Sequence, residues 1–153
     1  MINRYAQPGV VEGIWLREER LADPVHVAEA TLGPAGLEGD HGRAGKRAVT
    51  LIQAEHLAVI GAMLGKVTVD AAALRRNLVV SGLNLNGLKG RQLRIGAALV
   101  EVTTICAPCS RMEAALGPGG YAAMRGHGGW CATVLEPGSF KIGDLVVPQA
   151  VLA

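Results

Sequence analysis

The run Gln92–Cys109, QLRIGAALVEVTTICAPC, holds two apolar strand candidates, Gln92 to Ile95 and Leu99 to Thr104, separated by a turn signal at Ile95-Gly96 and followed directly by two cysteines. Short apolar segments bounded by glycine or proline are the mark of strands in a sheet. The same pattern extends outward in both directions. Toward the N-terminus, Val10 to Leu16 and Val25 to Ala30 are short and partly alternating, as half-buried strands are, while Ala48 to Ile52 and Asn77 to Ser81 read as buried strands. Toward the C-terminus, Ala132 to Leu135 and Asp144 to Pro148 complete the series. Twenty-one glycines and seven prolines punctuate it from end to end. Strands at turn-delimited spacing predict a mainly β fold, a compact closed or nearly closed β-barrel.

A few short peripheral helices accompany the strands. Leu57, Ile60 and Leu64 recur at three- and four-residue steps from about Ala54, the period of a helix packed on the outside of the barrel. Asp70 before Ala71-Ala72-Ala73-Leu74 reads as an N-cap, and short helices are expected at Arg111 to Leu116 and Tyr121 to Arg125.

The bulk numbers narrow the functional classes. A chain of 153 residues fits one domain, here residues 1–153, around one core. At 50% hydrophobic and 18% charged it has ample apolar material and no signature of disorder. Aromatics are 3% of the residues, so a nucleic-acid surface built on stacked bases lacks platforms. The net charge is +2 with the basic residues dispersed, which suits a small phosphate-bearing ligand rather than a nucleic-acid polymer. Three cysteines is an odd count, and no leader pattern opens the chain, so a cytoplasmic address is expected. Apolar runs such as Ala97–Val100 fall far short of the roughly 20 residues a spanning helix needs, so no membrane role is expected.

Four groups of residues carry candidate chemistry. Cys106-Ala107-Pro108-Cys109 leaves an apolar strand and precedes Ser110-Arg111, so its side chains belong at a pocket rim. A thiolate beside Arg111, with Arg75 or Arg76 near it in space, is stabilised electrostatically and becomes a better metal ligand or nucleophile. Buried structural thiols, a redox dithiol, and a zinc site drawing on Cys131 and a distant histidine are the competing readings. Gly36 to Arg43 is a glycine-spaced loop presenting Asp40 and His41, in which Asp40 orients His41 or the whole stretch is a surface turn. Arg75-Arg76-Asn77 offers planar forks and an amide to a polyoxygenated ligand, or is a solvated charge pair at a strand start. Gly119 to Trp130, with Tyr121, Arg125 and His127, reads either as a lid over the cysteine site or as a long solvent loop. Cys131 reads as core, and His26 and His56 receive no role.

Taken in order, Gly36–His41, Arg75–Gly82, Ile95-Gly96, Cys106–Cys109 and Gly143-Asp144 resemble the MOSC domain family, specifically its stand-alone members. The resemblance implies a β-barrel with peripheral helices and a bound molybdenum cofactor (molybdopterin). By the same resemblance Cys109 coordinates the molybdenum, Arg75 and Asn77 contact the pterin or its phosphate, Gln53 adds a polar contact, and Asp40 and His41 line the pocket. Arg111 joins them beside Cys109, and the loop from Tyr121 to Trp130 covers part of the cofactor.

The activity implied is reductive removal of oxygen from an N-hydroxylated small-molecule substrate, a hydroxylamino-base or amidoxime. His41 or His127 is the expected proton source for the departing oxygen. Nothing in the chain looks like a flavin, haem or iron–sulfur site, so a separate electron-transfer protein is expected to supply electrons. Two other functions stand beside this one: a carrier that delivers the cofactor, or sulfur as a persulfide on Cys109, and a zinc-stabilised binding module without catalysis.

Overall fold

Extended segments that are apolar on both faces need cover on both, and here a sheet closed on itself fills one side while helices pack on the other. The structure, a computed structural model, describes residues 4–107 and 110–150. In chain order its elements are β1 (Gly9–Leu16), β2 (Val25–His26), β3 (Glu29–Gly33), β4 (Gly36–Leu37), β5 (Val49–Gln53), α1 (Ala54–Met63) and a 3₁₀ turn (Ala71–Leu74). Then follow β6 (Leu78–Ser81), a second 3₁₀ turn (Leu85–Gly87), β7 (Gln92–Ile95), β8 (Ala98–Ile105), α2 (Ser110–Leu116), α3 (Gly120–Met124), β9 (Trp130–Glu136), β10 (Gly138–Lys141) and β11 (Leu145–Pro148).

Seven strands make a closed barrel in the order β11-β7-β8-β9-β5-β6-β1, and β1 returns to β11 through Gly9 opposite Val146 and Val10 opposite Leu145. Neighbours pair antiparallel except β5 and β6, which run parallel with α1 and the first 3₁₀ turn crossing between them. The barrel is filled, not hollow. Val11, Ile14, Leu51, Leu78, Val80, Leu93 and Val100 point inward and are fully buried or within 1% of it.

The residues between them face a second core. Ile52 on β5 and Val79 on β6 project outward onto Ile60 of α1, Leu74 of the 3₁₀ turn, Met112 and Leu116 of α2, and Met124 of α3. This explains why Val49–Gln53 and Leu78–Ser81 read as continuous apolar runs without alternation: both faces of these two strands are covered. It also places every helix on the same side of the barrel as the 75–77 segment.

The predicted β-barrel with peripheral helices is the observed fold. The differences have local causes. Val25 to Ala30, expected as one strand, is two, because β2 pairs with the end of β1 while β3 leaves to join β10 and β4 in a separate three-stranded sheet. Gly36-Leu37, read as part of a loop, is the strand that closes that small sheet. Among the described residues no helix is long and apolar enough to cross a membrane.

Candidate functional site

The 3₁₀ turn Ala71–Leu74 begins where the Asp70 carboxylate accepts from the Ala72 N–H at 3.0 Å and ends at Arg75, whose φ of 58° puts it in the left-handed region. For a long side chain that conformation costs on the order of 1 kcal/mol. It aims three successive side chains in three directions. Asn77 goes into the sheet, where its Oδ1 accepts from the Thr50 N–H (3.0 Å) and hydroxyl (3.1 Å) while its Nδ2 donates to the Trp15 carbonyl (3.1 Å). Its amide therefore ties β6 to β5 and β1.

Arg76, 7% exposed, goes inward and spends its fork on three carbonyls. Nε donates to Gly128 O (2.7 Å), Nη1 to Leu74 O (3.0 Å) and Nη2 to Cys106 O (3.2 Å). This clamp fastens the exit of β8 and the entry to β9 onto the 3₁₀ turn. The backbone must come close for it to form: a Cβ on Gly128 meets the Cys106 carbonyl at 2.8 Å, and one on Gly129, at φ +91°, runs into the Leu51 carbonyl.

Arg75 goes the other way. Its Nη2 donates to the carbonyls of Arg20 and Ala22, both at 3.0 Å, while its Nε is buried with no hydrogen-bond partner. Arg75 and Arg111 line a cavity of about 570 Å³ whose other walls are Leu21, Asp23 and Pro24 on one side and Ala72, Ala73 and Met112 on the other. Arg17 is close to both. Burial first, and then the charges of Arg75, Arg111 and Arg76, hold its guanidinium below the ordinary value, with Asp40 opposing them. Asp40 reaches this group because its carboxylate accepts from the Arg17 N–H at 2.7 Å, and the next residue, His41, donates its N–H to the Arg17 carbonyl at 2.6 Å. Several guanidiniums, outnumbering the carboxylates of Asp23 and Asp40, and an unused buried N–H form a site suited to an anion.

Cys106 sits at the end of β8 with its N–H on Gly129 O at 2.9 Å. The Cys131 thiol, at the start of β9, donates to the Cys106 sulfur; this bond, helped by the charges of Arg76, Arg47 and Arg17 and opposed by burial, brings Cys106 down to about 6. The same contact and burial push Cys131 up. Cys131 is 3% exposed, as its apolar strand implies, yet it is a partner to Cys106 rather than inert filling. Cys109, with Pro108, lies outside the described residues.

The remaining candidates gather elsewhere. Gln53 is 5% exposed; its Nε2 donates to Glu55 (2.8 Å) and its Oε1 accepts from the Leu85 N–H (3.0 Å). With Glu55, His56, Gly82, Asn84 and Asn86 it lines a second cleft of about 400 Å³, apart from the Arg75 cavity. His127 belongs with this group: its ring meets that of His56 edge-on at 4.7 Å, and its Nδ1 is buried without a partner. The structure thus joins Arg75, Arg111, Asp40 and His41 around Arg17, and Gln53 with His127 around His56. Arg17 and His56 are the residues that sequence reasoning missed. Arg17 carried the same signal as Cys106, a polar residue just beyond an apolar strand; His56 carried none, since one histidine in a helical pattern is ordinarily packing. Among the described residues no three of His, Cys, Asp and Glu come together as a metal site.

The structure is a filled seven-stranded barrel with a cationic cavity and a cysteine at one strand exit. The chain belongs to the MOSC domain family, whose match spans residues 25–147. Its fold is similar to the crystal structures of the YuaD protein from Bacillus subtilis (17% identity, TM-score 0.80, covering 92% of this chain and 94% of that one) and of YiiM from Escherichia coli (22% identity, TM-score 0.75, 97% and 72%). YiiM from Geobacillus stearothermophilus is similar at 22% identity and TM-score 0.78, covering 94% and 76%. No curated protein sequence matches significantly.

Proposed function

We propose that this protein holds a molybdenum cofactor and reduces N-hydroxylated compounds with electrons delivered by a partner protein. The observation that carries the reading is the guanidinium group around the Arg75 cavity, where Arg17, Arg75 and Arg111 meet with an unpartnered, buried Arg75 Nε. Such a cavity fits the anionic end of a phosphate-bearing cofactor. Membership of the MOSC family is consistent with molybdenum cofactor binding.

In this reading Arg75 and Arg111 hold the phosphate, Arg17 adds charge from the side, and Asp40 fixes Arg17 through its backbone N–H. Cys109 is the metal ligand by family resemblance; its thiolate suits a high-valent or soft centre. The bound group supplies two-electron reduction of an N–O bond. His41, whose backbone is tethered to Arg17, and His127, packed on His56, are the proton sources this reading takes for the departing oxygen. Asn77, with its amide engaged across three strands, supports the segment that carries Arg75.

The test is elemental analysis of protein expressed with an intact cofactor pathway, followed by a reduction assay with a hydroxylamino-base and electron-donor proteins. Stoichiometric molybdenum that is lost in Cys109→Ala, retained in Cys106→Ala and lowered in the Arg75→Ala/Arg111→Ala double variant is expected. Stoichiometric zinc without molybdenum overturns the reading. Molybdenum or a persulfide on Cys109, with no turnover, replaces the reductase by a carrier.

A further inference from the structure

The proposed reaction leaves one reactive pair unused. Ile105 and Trp130 are paired residues of the antiparallel β8–β9 ladder, so Cys106 stands opposite Gly129 and Cys131 opposite Thr103 and Thr104, and the two cysteines lie diagonally across the ladder on its other face. From there the Cys131 S–H is near enough to stabilise the Cys106 thiolate. Between the pairs Val102–Ala132 and Ile105–Trp130, Thr103 and Thr104 face Cys131 alone, a two-against-one bulge. A bulged strand end can twist where a regular ladder cannot, which is the freedom needed to bring two diagonal sulfurs to a bond of about 2.05 Å.

The surroundings select the chemistry. Cys106 lines a cavity of about 60 Å³ with Asn86, Ala107, Met124, Gly126 and Gly128. Space of this kind admits a small oxidant such as hydrogen peroxide. Arg76, Arg47 and Arg17 supply positive charge to Cys106, and its thiol is brought down to about 6. Cys131, pushed up, stays protonated until it reacts.

We propose that Cys106 and Cys131 form a peroxide-oxidisable dithiol, with Cys106 as the attacking sulfur and Cys131 as the resolving one. The Cys106 thiolate attacks one oxygen of hydrogen peroxide, the O–O bond breaks, and the leaving hydroxide takes up a proton as water. The Cys131 sulfur then bonds to the sulfenic sulfur and gives up its proton, and the sulfenic hydroxyl departs as a second water. Two electrons pass from the sulfurs to peroxide. The disulfide pins the exit of β8 to the entry of β9, three residues before Cys109, and needs no cofactor to form.

The experiment uses the full chain carrying Cys109→Ser, reduced, exposed to hydrogen peroxide, blocked with an alkylating agent and analysed by peptide mass spectrometry. The expected product is a 106–131 cross-link, lighter by two hydrogens and reversed by dithiothreitol. In Cys131→Ser, a dimedone adduct collects on Cys106; in Cys106→Ser, Cys131 stays unmodified. Both variants are checked for native thermal unfolding, and the wild-type cross-link stands as evidence if either fails to fold. Absence of the cross-link in folded Cys109→Ser protein, or dimedone trapping at Cys131 instead of Cys106, overturns the proposal. Because no metal or turnover is read, its failure is separate from failure of the reductase reading.

Discussion

Replacing Arg76 by methionine removes a side chain that joins three backbone segments while keeping most of its apolar stem. The variant leaves the carbonyls of Gly128, Leu74 and Cys106 without their partner. A lost bond to a charged donor in a buried setting costs about 1–2 kcal/mol net, once the relief of no longer burying the guanidinium is counted, giving roughly 3–6 kcal/mol for the three. For a chain of this length each kcal/mol moves the midpoint by about 2–4 °C, so Arg76→Met should unfold roughly 6–24 °C earlier. Circular dichroism melting of the reduced, metal-free protein reads this directly. A second readout is specific to the geometry: with one cation removed, the pH at which Cys106 becomes alkylatable should move up from about 6, though by less than in Cys131→Ala, since the Cys131 hydrogen bond is the larger cause. Arg76→Lys restores the charge but reaches fewer carbonyls, so it should recover the alkylation profile better than the stability. A melting midpoint for Arg76→Met within about 2 °C of wild type refutes the clamp, because even one lost buried bond should exceed that.

Asn77→Ala strips Thr50 and Trp15 of their cross-strand partner and should destabilise the fold by about 2–4 kcal/mol in chemical denaturation. Gly129→Ala sets a Cβ against the Leu51 carbonyl at a φ of +91° and should cost more than about 2 kcal/mol, whereas alanine at Gly126, where a Cβ meets nothing within 4 Å, should carry only the positive-φ cost. His56 is held below its ordinary 6.5 by burial and then by the His127 charge, with Glu55 opposing. The unfolded chain therefore takes the proton first, and the stability this group lends is present above pH 6.5 and lost as pH falls through the lower folded value. His56→Gln should flatten that part of the melting profile, while an NMR titration midpoint at or above 6.5 contradicts the geometry.

The strands were readable because apolar runs end where turn residues begin: Gln92 to Ile95 is the observed β7, and Leu99 to Thr104 falls one residue short of β8 at each end. What failed to show was partnership. Val25 to Ala30 is a good strand by composition, but its halves serve different sheets, a fact decided by β10 far along the chain. β10 itself, Gly138–Lys141, holds a single large apolar residue, Phe140, and is defined by the neighbour it pairs with. The site behaves alike. Arg75 and Arg111 were visible as basic residues beside candidate motifs, but that Arg76 turns inward while Arg75 turns out depends on one left-handed residue that no pattern marks. Arg17 gains its meaning only from the fold that brings it to Arg75 and Arg111.

The seam between β1 and β11 sets an order of events during synthesis. Gly9 and Val10 pair with Val146 and Leu145, nearly the full length of the chain away. Until β11 has left the ribosome, one edge of β1 and one edge of β7 stay open, each a template for pairing with another chain. A polypeptide stalled between the end of β9 and residue 145 is thus an unfinished cylinder with two free edges, and one stalled before β9 has more.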